Sequence, residues 1–294
     1  VGVRGENAPK IAAMQTPSPS APLLDAPEMA ARIASRLPAF TRAEWLDVTG
    51  STNADMLARV REGQDASQPW LRGTYRQDSG RGRAGRVWTN HAGDALMFSC
   101  AFDVPLPLAK LPALSPISGI AACEALRAQA GAAAPALRMK WPNDLQFGDG
   151  KLAGILVETA RAPGEATPVV VMGIGINLRE AGRLSAELGR EIADWTQVRG
   201  GLPAAGDTLA TLVADVARAW LEAVVQYARQ GYAPFISRHA QVDALAGREV
   251  NVIEDGRVLF SGLAQGTDGD GRLLVDAGQG RVPISVGEIS VRAR

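Results

Sequence analysis

The sequence predicts an α+β protein with a small barrel-like module at its C-terminal end. Three observations carry this. At 294 residues and 46% hydrophobic content the chain can bury one sizeable core plus an appended module. Between residues 25 and 243 apolar strands and amphipathic helices are interspersed, with consecutive strands joined by tight turns. Beyond Ala246 the texture changes to five short strands separated by Asp255-Gly256, Asp268-Gly269-Asp270-Gly271 and Gly278-Gln279-Gly280, the pattern of a small barrel.

Residues 1–24 are rich in Pro, Ser and Ala, follow neither helical nor strand periodicity, and read as a disordered tail. Pro17, Pro19 and Pro22 interrupt any apolar run that could serve as a secretory signal. The segment 25–37 is an amphipathic helix stopped by Pro38, and 45–48 is a strand leading into Gly50-Ser51-Thr52-Asn53. Thr52 with Asp55 resembles a capping box, and Met56, Leu57 and Val60 supply the apolar face of the helix behind it. A strand near Thr74 precedes a Gly/Arg-rich loop over 77–86, then come an apolar strand over 95–102 and a helix over 115–130. Strands follow at 137–141, 145–147, 154–159 and 169–176, with turns at Asn143-Asp144 and Asp149-Gly150, and a long amphipathic helix covers 209–230. The strand 169–176 is a candidate sheet edge for pairing with a second copy, so the expected state is a monomer or a homodimer.

Lys plus Arg and Asp plus Glu both total 31, so no global field draws the protein to nucleic acid or to an anionic membrane. Cys100 and Cys123 lie in apolar stretches and belong to no Cys/His cluster, which suits a reducing cytoplasm better than a disulfide framework or a zinc site. Every apolar run is far shorter than the ~20 residues of a membrane-spanning helix.

Gly80-Arg81-Gly82-Arg83-Ala84-Gly85-Arg86 gathers arginines on a loop whose glycines let backbone approach a ligand. Alone it supports three readings equally: an anion-binding loop, a solvated basic loop, or a patch for nucleic-acid backbone. Lys140-Trp141-Pro142-Asn143-Asp144 crowds a cation, an amide and a carboxylate onto a strand end, where Asp144 is a candidate Mg2+ ligand and ordinary turn chemistry is the plainer reading. Lys151, just before an apolar strand, either neutralises a carboxylate or α-phosphate or is an exposed turn lysine. Gly173 and Gly175 interrupt an apolar strand, marking a point where something packs against the backbone, and Asn177 follows with a donor and an acceptor. No dinucleotide fingerprint, phosphate-binding P-loop, nucleophile elbow or calcium loop is present.

Taken together, Gly50-Ser51-Thr52-Asn53, the loop from Gln77 to Trp88, Lys140-Trp141-Pro142-Asn143-Asp144, Lys151-Leu152-Ala153-Gly154-Ile155-Leu156-Val157-Glu158 and Gly173-x-Gly175-Ile176-Asn177 closely resemble the biotin protein ligases, also called biotin-[acetyl-CoA-carboxylase] ligases. The resemblance runs from about residue 42 to Gly287-Glu288-Ile289-Ser290-Val291-Arg292. It implies a mixed sheet like that of class II aminoacyl-tRNA synthetases and biotin/lipoate ligases over 25–243, and an SH3-like domain over 244–294. The stretch before residue 42 leaves no room for the family's winged helix-turn-helix, so a monofunctional ligase without specific DNA binding is expected. The implied reaction activates biotin with ATP and Mg2+ as biotinyl-5'-AMP and passes it to a lysine of the biotin carboxyl carrier protein domain of acetyl-CoA carboxylase, in the cytoplasm. Carried over by position, biotin lies near Ser51, Thr52, Asn53, Gln77, Gly80, Arg81, Arg83 and Lys151. The adenylate lies near Trp88, Lys140, Asn143, Asp144, Asn177 and Arg292, with Asp144 toward Mg2+ and Arg83 and Lys151 as the catalytic cations. Ala84 departs from members that carry a basic residue there. The rivals are a lipoate ligase or octanoyl transferase, told apart by the acid it retains, and a nucleic-acid binder or biotin-sensing repressor, against which the zero net charge weighs.

Overall fold

Two-residue alternation of apolar with small or polar side chains builds a seven-stranded sheet in the computed structural model, which describes residues 23–64, 69–103, 105–287 and 290–293. Its strands are β1 (Arg42–Leu46), β2 (Trp70–Thr74), β3 (Ala95–Asp103), β4 (Leu137–Lys140), β5 (Asp144–Phe147), β6 (Gly150–Ala160) and β7 (Val169–Asn177), in the order β1-β2-β3-β7-β6-β5-β4. β1 and β2 run parallel and the other neighbours antiparallel. The helices are α1 (Ala26–Ala34), α2 (Thr52–Arg61), α3 (Leu114–Ala130), α4 (Ala181–Leu188), α5 (Trp195–Val198), α6 (Gly206–Gln230) and α7 (Ala233–Val242).

The alternation separates two faces. Leu96, Phe98, Cys100 and Phe102 of β3 and Val170, Met172, Ile174 and Ile176 of β7 enter the main core under α1, α3 and α6. There the Phe98 and Trp220 rings lie 5.7 Å apart. On the other face Ala101, Ala160, Val169 and Val171 pack beneath Met56, Leu57 and Val60 of α2. α2 covers only part of this face and begins at Thr52, beside glycine-lined sheet on which Asn53 and Trp88 lie. Burial raises the pKa of both thiols, Cys123 to about 12, so neither cysteine is a nucleophile at neutral pH.

Several sequence expectations change in the folded chain. Residues 1–22 of the expected tail lie outside the described residues, whereas Leu24 packs on the core and its carbonyl accepts from the Tyr75 hydroxyl at 2.7 Å. α1 is capped by Asp25, whose carboxylate accepts from Glu28 N at 2.8 Å, a contact worth about 1 kcal/mol. The cap of α2 is Ser51 rather than Thr52, and there is no Thr52–Asp55 box. Asp55 instead takes the Thr49 hydroxyl and Arg72, and Thr52 turns toward Gln77 and Ser99. β7 is not an edge: it is paired along its length with β3 and β6 and is buried throughout, so it has no free side for a second copy.

After α7 the chain enters β8 (Glu249–Glu254), β9 (Arg257–Thr267), β10 (Leu273–Asp276), β11 (Arg281–Ile284) and β12 (Ser290–Ala293), an antiparallel sheet in the order β11-β10-β9-β8-β12. Val250, Val252, Ala264, Leu273 and Val275 of this module join the main core. Trp141 Nε1 donates to the Gly271 carbonyl at 3.0 Å, and Gly271, at φ +79°, lies against the Tyr232 ring where a Cβ would come within 2.7 Å. The module is thereby held against the large sheet, with Gly287 beside the loop over 77–88. Among the described residues no helix is long and apolar enough to cross a membrane.

Candidate active site

Next to the N-terminus of α2, two adjacent strands, β6 and β7, present glycines where side chains would otherwise stand. A Cβ at Gly173 would fall 2.1 Å from Asn53 Oδ1, one at Gly175 would fall 2.4 Å from the Trp88 ring, and one at Gly154 would meet Trp88 at 3.1 Å. Gly154 and Gly175 are cross-strand partners. The close packing expected at Gly173 and Gly175 is therefore supplied by the chain's own Asn53 and Trp88. Between them opens a cavity walled by the start of α2, the loop over 77–88 and strands β5, β6 and β7.

One end of the cavity is neutral and polar. Ser51 Oγ accepts weakly from Ala54 N at 3.4 Å. Gln77 Oε1 accepts from Thr52 N at 2.8 Å, and the Thr52 and Ser99 hydroxyls are 2.7 Å apart. Asn53 Nδ2 donates to Glu158 Oε2 at 2.9 Å, and its Oδ1 accepts from Ser99 at 2.6 Å. Asn53 thus lines the cavity with most of its hydrogen-bonding capacity already engaged inside the protein.

Two residues further along β7 the character turns cationic. Lys151 Nζ donates to Asp144 Oδ1 at 2.6 Å and stands 5.7 Å from the centre of the Trp88 ring. Arg83 donates to Asn143 Oδ1 at 3.0 Å and to the Gly287 carbonyl at 2.5 Å, and Asn143 is anchored in turn on the Ile155 carbonyl at 2.7 Å. Burial lowers the Arg83 pKa, with Asp144 opposing and Arg86 adding to the shift. Lys140, opposite Asp144 across β4 and β5, is also lowered, first by burial and then by the nearby cations Lys151, Arg292 and Arg248, against the pull of Asp144. Among the described residues, Arg81, Arg83, Arg86, Lys151 and Arg190 line the cavity against a single acid, Asp144. Such an excess of fixed positive charge in a partly dry cleft draws anionic ligands.

Loop closure explains the Gly/Arg pattern. Trp88 N donates to the Gly80 carbonyl at 2.9 Å and Gly82 N to the Arg86 carbonyl at 2.7 Å. A Cβ at Gly80 would lie 2.8 Å from the Trp88 carbonyl oxygen, so glycine is required for this approach. Ala84 takes the left-handed conformation at φ +52°, a turn that carries no ligand-facing charge.

Of the residues singled out from the sequence, Ser51, Thr52, Asn53, Gln77, Arg81, Arg83, Trp88, Asn143, Asp144 and Lys151 line this one cavity. Asn177 lines a smaller adjoining pocket with Trp88 and Lys151, and its Nδ2 donates to the carbonyls of Lys151 and Ala193 at 3.1 and 3.2 Å. Gly80, Lys140 and Arg292 line neither; Gly80 shapes the loop, and Lys140 and Arg292 contribute charge behind it. Sequence reasoning missed Ser99 and Glu158, which brace Asn53, and Arg190, which lines both pockets. It also missed Asn90, whose side chain bonds both the N–H and the carbonyl of Gln77 at 3.1 and 2.9 Å. Alternation exposes Ser99: it is the polar residue on the α2-facing side of an otherwise apolar strand.

A resident Mg2+ does not fit these residues. Among the described residues Asp144 is the one carboxylate of the lining, Lys151 holds one of its oxygens, and no group of three or more His, Cys, Asp or Glu could hold a metal. Protein side chains alone therefore make no such site, and the other Asp144 oxygen suits only an ion shared with substrate phosphates.

Residues 45–177 match the biotin/lipoate A/B protein ligase family, and residues 246–292 match the biotin protein ligase C terminal domain. The bifunctional ligase/repressor BirA of Escherichia coli (strain K12) is 35% identical over 249 residues, covering 84% of this chain and 73% of that protein. The chain belongs to the biotin protein ligase family. A biotin--[acetyl-CoA-carboxylase] ligase of Mycobacterium tuberculosis is 30% identical over 242 residues, 82% of this chain and 85% of that one. The fold agrees with the biotin protein ligase of Aquifex aeolicus solved in complex with biotin and ATP, at a TM-score of 0.68 and 24% identity over 85% of this chain and 98% of that one. The cavity between α2 and the loop over 77–88 is therefore the candidate active site of a biotin protein ligase.

Proposed function

We infer that this cavity carries out the two-step reaction of an ATP-dependent biotin protein ligase. In the first step a carboxylate oxygen of biotin attacks the α-phosphorus of ATP, and the bond from that phosphorus to the oxygen bridging to the β-phosphate breaks, giving biotinyl-5'-AMP and pyrophosphate. In the second, the neutral amine of a carrier lysine attacks the acyl carbon, AMP leaves, and the amine gives up a proton as the amide forms.

The observation that carries this reading is the union, in one cavity, of a neutral hydrogen-bonding end at Ser51, Thr52 and Gln77 with a cationic end at Arg83 and Lys151. A cyclic urea suits the first and a carboxylate beside a phosphoryl group suits the second. Arg83 and Lys151 are the catalytic cations: they hold the two anions together and stabilise charge shifting onto phosphoryl oxygens. Arg81 adds charge at the rim, and Trp88, above Gly154 and Gly175, packs on the adenylate. Lys140, Asn143, Asp144, Asn177 and Arg292 serve the nucleotide side. Asp144 would hold a Mg2+ shared with the ATP phosphates, and that ion would supply positive charge to the leaving pyrophosphate. The carrier is the biotin carboxyl carrier protein domain of acetyl-CoA carboxylase, and the enzyme works in the cytoplasm, where ATP and reduced thiols are at hand.

The polar end also disfavours lipoate or octanoate as the acid. An alkyl or dithiolane group there would leave buried donors and acceptors unpaired, at a cost of about 1–3 kcal/mol each. Incubation with biotin, ATP, Mg2+ and the carrier domain is expected to add one biotinyl group to the carrier by mass, with no octanoyl product when octanoate replaces biotin. An octanoyl product, or an unmodified carrier in the presence of biotin, contradicts the reading.

A further inference from the structure

Hydrogens at the polar end can be assigned from which atoms are able to donate. Asn53 Nδ2 lies 2.9 Å from Glu158 Oε2 and 3.3 Å from the Leu156 carbonyl, both acceptors, so the amide nitrogen must face them. Asn53 Oδ1 then faces the Ser99 hydroxyl at 2.6 Å. An amide oxygen has no hydrogen, so Ser99 donates its only one to Asn53. The Ser99 and Thr52 hydroxyl oxygens are 2.7 Å apart, a separation that needs a hydrogen between them, and Thr52 is the one that still has it. Gln77 Oε1 takes the Thr52 backbone N–H at 2.8 Å and stands 3.2 Å from the hydroxyl as a second, longer acceptor, so the Thr52 hydrogen is engaged inside the protein on either side. The Thr52 oxygen therefore offers the cavity lone pairs and no hydrogen.

We propose that Glu158, Asn53 and Ser99 are positioning residues that lock Thr52 as an acceptor, making the enzyme select acids whose head group presents an N–H at this point. The proposal rests on the biotin reading and adds to it the basis of head-group selection. Ser99 is fully buried and lies outside the cavity lining, so it acts on the ligand only through Thr52. Gly173 makes the relay possible, because any Cβ there would occupy the place of Asn53 Oδ1.

The test measures kcat and KM for biotin and for the two cyclic carbamate analogues in which one or the other ring N–H is replaced by oxygen. It uses the full chain with ATP, Mg2+ and the carrier domain. The wild type is expected to prefer biotin over at least one analogue by about a thousandfold or more in kcat/KM, because an oxygen facing an acceptor-only Thr52 is repelled. Ser99→Ala releases the Thr52 hydrogen from its 2.7 Å acceptor and lets it turn toward the ligand in competition with Gln77 Oε1 at 3.2 Å, and that preference falls at least about tenfold, chiefly through a lower KM for the analogue. Glu158→Gln keeps an acceptor oxygen for Asn53 and retains the preference within about twofold. If Ser99→Ala does not fold, Glu158→Met loosens the relay from its other end and the same ratio decides. An undiminished preference in the loosened variant, or equal use of biotin and both analogues by the wild type, overturns the proposal while leaving biotin transfer intact. Failure of the wild type to transfer biotin at all overturns the underlying reading instead.

Discussion

Replacing Lys151 with alanine is expected to slow biotin- and ATP-dependent pyrophosphate release by about a hundred- to a thousandfold, the loss usual when one aligned charge-stabilising group is removed. Two effects add. The Nζ charge disappears from the cavity, and Asp144, now without its 2.6 Å partner, draws on the charge of Arg83 and Lys140 that would otherwise face the two anionic substrates. The loss falls mainly on the first step, where carboxylate and triphosphate meet. Transfer from supplied biotinyl-5'-AMP to the carrier is expected to decline far less, since the acyl phosphate is already formed. Single-turnover measurement of the two steps separates them, and unchanged pyrophosphate release in Lys151→Ala removes Lys151 from the chemistry.

Gly175→Ala is expected to lower kcat/KM for ATP by about a hundredfold while leaving the fold standing, because displacement of a positioning group by about 1 Å carries a cost of that order. The new methyl group would lie 2.4 to 2.8 Å from the Trp88 indole, so the ring must leave the glycine floor. Gly175 is not among the residues with positive φ, so alanine meets no backbone strain and the melting temperature should move little. In a Trp88→Ala background the same substitution is expected to have almost no further effect, since its cost acts through the indole. Equal ATP kinetics for Gly175→Ala and the wild type would show that Trp88 does not form the nucleotide platform.

Much of the fold was legible because its signals are local. The alternation in β3 and β7, the apolar face of α2 and the turns after residue 246 each arise within a few residues of chain. Sheet order is not local: β3 and β7 are joined by a long stretch of chain, so nothing within 169–176 reveals that both of its sides are paired. The cap of α2 shows the same limit at the scale of one residue. Ser51 and Thr52 are both good caps by type, and only the distant partners Gln77 and Ser99 decide which one turns away. The cations of the site stood out because the Gly/Arg loop and the Lys140 to Asp144 run are dense in charge. The braces behind them, Ser99, Glu158 and Asn90, are single polar residues whose meaning appears only when strands far apart in sequence lie side by side. Arg190 follows α4, a helix with no distinctive motif, and enters the cavity only through the tertiary path of that segment.

That Arg83 and Lys151 join a carboxylate to the innermost phosphoryl group can be tested by isotope transfer. With biotin carrying 18O in both carboxyl oxygens, the AMP released after carrier modification should contain one 18O atom per molecule and the pyrophosphate none. AMP free of label, or label in pyrophosphate, would mean that the carboxylate does not attack the α-phosphorus, and the convergence of these two cations would need a different chemistry.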